Sequence, residues 1–375
     1  MSDNELIYIT YQTFPSEKAN TIQTIENLKY LAKNNLKTTL IFPLREKISS
    51  DDSEVLKRYY NLNEDIKFLG TSHNLPFGKF KILQKYTFLL SHYLWSRKMS
   101  KIICNNYSSE NFYFTRSEWI FYYLSKNDFN IIFECHQLSK IRKYLIKRSI
   151  KQKFSKIVFL NNNLIRDSGI NTKKFKKKLL VLPNGVDFEL FKKEIPKEKN
   201  KIIFAGNLDR FGSKRDLSYI IDAFDLDEIK NKYTLKIISG ASKLNSEIIK
   251  YVESKNLENH IFVESRKNRL ETIHEIQNSE IGLLFNSSEN EHSIKYTSPL
   301  KYFEYLYGEL KILAVDYPAH RDLSFSENII YFQENDTNSF LESLFKIGNI
   351  EPIKKKSLDS ISLDYRVKKI IKFFK

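Results

Sequence analysis

Along most of the chain, short runs of apolar residues alternate with longer stretches in which apolar positions recur every three or four residues. The first pattern fits a buried strand, the second an amphipathic helix. In the first half, strands are expected at Leu6–Thr10, Thr38–Phe42, Ile66–Leu69, Lys101–Cys104, Asn130–Glu134, Lys156–Phe159 and Leu179–Leu182. Helical spacing lies between most of them. In Asn20–Asn35, for instance, Ile22, Ile25, Leu28 and Leu31 make one stripe. Such alternation implies parallel strands joined by crossover helices. "EIPKEKN" (Glu194–Asn200), polar and charged with a proline, interrupts the pattern like a linker. The alternation then restarts with "KIIFAG", "YTLKIIS", "HIFVE", "EIGLLF", "LKILAVD" and "NIIYF". The expected fold class is α/β, with two doubly wound Rossmann-like domains. These are residues 1–195 and 196–360, followed by a C-terminal helix, 361–375, that packs back on the first.

A chain of 375 residues is long enough for two such cores. No apolar run approaches the roughly 20 residues that a membrane-spanning helix needs. The opening "MSDNELIYIT" lacks the basic region and cleavage site of a signal peptide. Cys104 and Cys135 are too few for a disulfide framework or a cysteine-built metal site. A cytoplasmic location is expected. The net charge of +16 comes largely from lysine blocks such as "NTKKFKKKLL" and "KRSIKQKFSK". Without zinc-finger spacing, a ribonucleoprotein aromatic motif or a basic zipper, nucleic acid is not an expected partner. Basic segments interleaved with aromatic and aliphatic residues, above all "FGKFKILQKYTFLLSHYLWSRK" (Phe77–Lys98), suit peripheral contact with an anionic membrane surface. Burial of those apolar groups against the first sheet, with the basic charge a composition bias on solvated faces, is the competing account.

Ligands of doubly wound sheets bind beyond the carboxyl ends of the strands, so the loops there hold the candidate chemistry. After "KIIFA" come Gly206, Asn207, Arg210, Lys214 and Arg215, a glycine-containing cationic loop suited to an anion. After "EIGLLF" a polar loop runs to Tyr296, Ser298 and Pro299, where proline is at ease in the first turn of a helix. That helix carries Glu304 on the face of Leu300, Phe303 and Tyr307, and an acid in an apolar stripe requires a partner. Glu134 and His136 stand at another strand end, and Arg116 follows the strand-like "FYFT". Asn184–Gly185 makes a tight turn, and Asp187 can cap the turn that follows. "DLD" at Asp225–Asp227 follows a helix, without histidine or cysteine neighbours, and is not read as a metal site.

"VLPNGVDFELF", "FAGNLDRFGSKRDLSYIIDAF" and "TSPLKYFEYLYGELKILAVD" resemble, in that order, three blocks of the GT-B-fold glycosyltransferases of family 4. "ITYQTFPSEKANTIQTIENLKYLAKNN" and "YFTRSEWIFYYL…IIFECHQLSK" are similar to that family's acceptor half. The resemblance implies two domains facing each other across a cleft. It also implies a nucleotide-diphosphate sugar donor, a glycan or lipid-linked acceptor, retaining transfer in surface-polysaccharide synthesis, and no metal or other cofactor. Glu304 then matches the glutamate that accepts the donor's ribose hydroxyls, work suited to an acceptor-only carboxylate. Arg215 or Lys214 matches the phosphate-binding cation that meets charge developing on the diphosphate. Gly206, Asn207, Arg210, Tyr296, Ser298, Pro299, Leu300 and Lys301 complete the implied donor site. His136 becomes a catalytic candidate as contact to the donor sugar or recipient of the acceptor's proton, with Arg116 and Glu134 as acceptor contacts.

Three departures stand out. Eight positions before Glu304, near where the family often has a second glutamate, this chain has Tyr296; Glu289, Glu291, backbone amides or Tyr296 itself are the replacements on offer. Asn207 stands where the family has its first cation, with Arg210 as a compensating charge. "YQTFPSEKAN" lacks the glycine pair usual in the first loop. A nucleotide-sugar 2-epimerase of the same fold and a non-catalytic membrane-associated scaffold are the alternative functions.

Overall fold

The computed structural model describes residues 5–73, 84–210, 213–240 and 242–375, with backbone alone at Gln84, Lys85, Arg210, Ser213 and Ser242. The chain forms two compact units. Residues Met1–Leu182 and Val367–Lys375 make the first, and Pro183–Arg366 make the second.

The first unit is built on seven strands: β1 (Leu6–Ile9), β2 (Thr38–Leu44), β3 (Ile66–Ser72), β4 (Phe112–Thr115), β5 (Ile131–Cys135), β6 (Ser155–Phe159) and β7 (Leu179–Val181). Their order is β3-β2-β1-β4-β5-β6-β7, and all pairs are parallel. The order reverses between β1 and β4, which opens a crevice at their carboxyl ends. One expected strand is not there. Lys101–Cys104 lies inside the helix Gln84–Asn106, because Trp95, Met99 and Ile103, four residues apart, continue one buried helical face. The strand at this place in the sheet is "FYFT" instead.

The second unit contains β8 (Glu198–Ala205), a small hairpin of β9 (Asp209–Arg210) and β10 (Ser213–Lys214), then β11 (Thr234–Ser239), β12 (Ile261–Ser265), β13 (Ser279–Leu284), β14 (Lys311–Val315) and β15 (Ile329–Phe332). The main sheet runs β12-β11-β8-β13-β14-β15, all parallel, with its reversal between β8 and β13. Alternate residues bury on opposite faces. Ile202, Phe204, Leu283, Leu313 and Val315 join one apolar cluster, while Ile203, Leu284, Ile312 and Ala314 join the other. Both faces are covered, so these strands read as continuous apolar runs. Each fully buried Leu, Ile, Val or Phe contributes about 1.5–3 kcal/mol to this core.

The unit boundary falls before the polar run that suggested a linker. Val186 and Phe191 pack in the cluster of Tyr302, Phe303 and Leu306, and Phe188 stacks on Tyr307 at 3.6 Å. Within "EIPKEKN", Glu198–Asn200 already open β8. At the other end, the helix Leu363–Phe374 passes from the second unit into the first. There Phe374 stacks on Phe112 at 4.7 Å, and the Lys156 ammonium donates to the carbonyls of Phe373 and Phe374 at 2.5 and 3.0 Å.

Candidate functional site

In the second unit Gly206, Asn207, Arg215 and Lys301 gather where the sheet order reverses. Arg215 follows β10, and its amide closes the hairpin loop onto the Leu208 carbonyl at 2.8 Å. Its guanidinium is buried and ties together the two strand ends that flank the reversal. Nη1 donates to the Asn207 carbonyl, just beyond β8, at 2.8 Å, and Nη2 donates to Oδ1 of Asn286, just beyond β13, at 2.5 Å. Lys301, in the helix Leu300–Tyr307, lies 3.9 Å from the Phe204 ring centre and 5.8 Å from that of Phe285. The two cations meet at Gly206: a Cβ built there would stand 3.6 Å from both Arg215 Nη1 and Lys301 Nζ. Backbone at this point can therefore approach an anion closely, with two positive charges beside it. Next along the edge, Asn207, Gly240 at the end of β11 and Arg266 at the end of β12 lie together.

The helix that carries Glu304 is fixed at both ends. Asn184 grips its start, its amide N–H donating to Ser298 Oγ at 3.1 Å and its Nδ2 to the Ser298 carbonyl at 2.5 Å. Pro299 precedes the first turn, which no side chain caps among the described residues. Further on, the Tyr305 ring lies so close to Gly282 in β13 that a Cβ there would meet it at 2.5 Å. The expected apolar stripe is wider than its spacing suggested. Tyr302 through Leu306 are all buried, whereas Leu300 and Tyr307 are half-exposed. Glu304 is 4 % exposed, and its Oε1 lies 2.5 Å from Nη1 of Arg269. Its partner in this state is thus an arginine at the start of the helix Arg269–Asn278, which a capping box of Asn268 and Glu271 holds in place. A carboxylate has about four acceptor positions, so this pairing leaves capacity for hydroxyl donors.

Adjacent cations in the sequence part company here. Lys214 is exposed and pairs with Glu247 at 3.0 Å, away from the contacts that Arg215 makes. Arg210 has its backbone in β9, but its side chain lies outside the described residues. Tyr296 is buried, its ring centre 6.4 Å from that of His292. Glu289 and Glu291 are exposed, and Glu291 pairs with Lys295 at 2.9 Å. His320, fully buried, donates from Nδ1 to the Val315 carbonyl at 2.7 Å. Burial, reinforced by the charges of Lys301 and Arg215, pulls its pKa down to about 4, so the ring is neutral near pH 7.

In the first unit, Arg116, Glu134 and His136 come together at the carboxyl ends of β4 and β5. One oxygen of Glu134 accepts from Arg116 Nε at 2.8 Å and lies 2.7 Å from His136 Nε2. Glu134 is fully buried and His136 is about a quarter exposed. Burial opposes the Arg116 charge, but Tyr8 and Glu134 more than offset it and hold that pKa above the usual guanidinium value. With Nε2 donating to Glu134, the other ring nitrogen of His136 carries the acceptor lone pair.

A second polar group at the ends of β1 to β3 was not legible in the sequence. Tyr11, His73 and Ser91 lie within 2.5–2.8 Å of one another, His92 stacks on Tyr11 at 4.7 Å, and the Arg45 guanidinium lies 4.6 Å from the Tyr11 ring centre. Burial pulls His92 down to about 4. These residues come from three strand ends and the helix Gln84–Asn106, and no local spacing links them. Among the described residues no group of histidine, cysteine and carboxylate side chains is arranged to hold a metal ion.

Two doubly wound units, each with its candidate residues at the carboxyl edge, define the GT-B fold class. Comparison with solved structures agrees. The lipopolysaccharide outer core galactosyltransferase WaaB, in its apo form, is 13 % identical, with 98 % of each chain covered and a TM-score of 0.65. A trehalose-6-phosphate protein from E. coli, bound with UDP-2-fluoro glucose, is 11 % identical, with 99 % of each chain covered and a TM-score of 0.68. The Anabaena protein HepE in complex with UDP is 8 % identical over 98 % of this chain and 94 % of that one, with a TM-score of 0.61. No family model and no curated protein sequence matches the chain. At these identities the likeness shows the fold.

Proposed function

We propose that the protein is a glycosyltransferase that moves a sugar from a nucleotide-diphosphate donor to a glycan or glycolipid acceptor in surface-polysaccharide synthesis. The observation that carries this reading is Arg215 bridging the two strand ends at the reversal, with Lys301 beside it and Glu304 on the same helix. Arg215 and Lys301 would hold the diphosphate and meet the charge that grows as the sugar leaves. Glu304 would accept the ribose hydroxyls. No metal is needed in this scheme. In the first unit, His136 would take the acceptor's proton, with Glu134 orienting its ring and Arg116 holding Glu134. Two of the structural neighbours were solved with UDP or a UDP-sugar, which supports a uridine nucleotide as the first donor to try. Retention of configuration, by departure and attack on the same face, follows the family resemblance. The direct test is a panel of nucleotide sugars, with and without acceptor, in the presence of a chelator.

The reading extends to a membrane-held acceptor reached from the cytoplasmic side. No described helix is long and apolar enough to cross a bilayer. The helix Gln84–Asn106 instead exposes Tyr86, Leu90 and Leu94 at four-residue steps, and Arg97 and Lys101 continue that line. Phe80 and Leu83, part of the same basic-aromatic stretch, lie outside the described residues. In the same unit, Ile141 and Tyr144 are exposed on the lysine-rich helix Lys140–Ser149. An apolar line flanked by cations suits an anionic leaflet, where each cation adds on the order of 1 kcal/mol and salt screens it. The protein should co-sediment with vesicles rich in anionic lipid at low salt and be released at high salt. A protein that stays in the supernatant at low salt has a soluble acceptor or one delivered by a partner.

A further inference from the structure

Asn286 is absent from the residue set that the donor-site resemblance implies, yet it is hydrogen-bonded directly to a member of that set, Arg215. It follows β13 at the sheet reversal, is 2 % exposed, and accepts from Arg215 Nη2 through Oδ1. A guanidinium only donates, so the amide can face Arg215 with its oxygen alone, which fixes Nδ2 on the other side. That NH2 group is buried and has no hydrogen-bond partner among the described residues. Buried donors are rarely left so, and those that are call for an acceptor the structure does not hold. Arg215 and Lys301, converging on Gly206, specify what kind of acceptor fits: one that is negatively charged.

We propose that Asn286 is a positioning residue with a second task, orienting Arg215 through Oδ1 and donating through Nδ2 to an oxygen of the donor's diphosphate. The inference rests on the donor-binding reading of this crevice and adds a residue and a direction of hydrogen bonding to it. It separates the site from one that a carboxylate could serve equally well. An aspartate at 286 would hold Arg215 at least as firmly, but would present an acceptor and a negative charge where the diphosphate needs a donor.

The test uses the full chain, with calorimetric titration of UDP, GDP and ADP, and of inorganic pyrophosphate as a probe without a nucleoside. Asn286→Asp should keep the parent's melting temperature while its affinity for the best nucleoside diphosphate, and for pyrophosphate, falls about tenfold or more. Asn286→Ser, whose hydroxyl can both accept and donate, should bind within about threefold of the parent. An Asp variant that binds as tightly as the parent overturns the role of Nδ2 and leaves the donor site standing. A folded Ser variant whose affinity falls about tenfold or more overturns it too, and that measurement stands alone if the Asp variant does not fold. A parent protein that binds none of the nucleotides and no pyrophosphate overturns the donor reading itself.

Discussion

Arg215→Ala should lower the turnover of donor by at least about 100-fold, whereas Lys214→Ala should leave it within about twofold of the parent. The two neighbours differ in what surrounds them. Arg215 is buried at the sheet reversal, where it donates to the Asn207 carbonyl and to Oδ1 of Asn286. Removing one fixed donor from a site where negative charge develops costs about 10²–10³ in rate. Lys214 is two-thirds exposed and already paired with Glu247, and such surface pairs contribute about 0–1 kcal/mol. Because the alanine strands the Asn286 oxygen and the Asn207 carbonyl, Arg215→Lys is the companion variant: it keeps the charge and loses the bridge. The loss should appear in kcat more than in KM if the charge acts on the leaving diphosphate. Steady-state kinetics beside melting curves check this, and equal losses at Lys214 and Arg215 would remove burial as the basis for telling them apart.

Glu304→Gln should weaken the binding of the nucleotide sugar roughly 10- to 100-fold without unfolding the protein. The expected loss comes from replacing a charged acceptor of two hydroxyl donors by a neutral amide of nearly the same shape. The change also releases Arg269, which is one-third exposed and can hydrate. A donor analogue lacking both ribose hydroxyls isolates the contact. The parent should bind it about as weakly as Glu304→Gln binds the natural donor, and the variant should hardly distinguish the two. If the analogue and the substitution weaken binding additively, Glu304 does not touch the ribose and its role is to anchor Arg269.

Sequence pattern carries the architecture well and the site unevenly, for physical reasons. Parallel strands covered on both faces leave unbroken apolar runs, so β8, β11, β13 and β14 are plain from the chain alone. The strand expected at Lys101–Cys104 failed because a short apolar run fits a helix equally well, and Met99 and Trp95 upstream set the helical period. The unit boundary was misplaced because polarity marks exposed chain, while Val186 and Phe191 show where the core of the second unit takes hold. Glu304 could be singled out, since an acid in an apolar helix needs a partner, but Arg269 lies 35 residues away and joins it only through the fold. Lys214 and Arg215 looked interchangeable until the hairpin turned one outward and the other in. Asn286, in a loop rich in asparagine, serine and glutamate, carries no local mark. Its importance comes from the strand it follows and the arginine it meets.

The claim on which the rest depends is that the second unit's crevice binds a nucleotide-diphosphate sugar for transfer. Incubating the protein with each of a panel of nucleotide sugars, in the presence of a chelator, and separating the products tests it most directly. The account predicts that one donor yields free nucleoside diphosphate, that a fitting glycan or glycolipid acceptor increases the yield and gains the sugar, and that Arg215→Ala lowers the release at least about 100-fold. A donor returned as its C2 epimer, or a panel in which no nucleotide is released or bound, would contradict it.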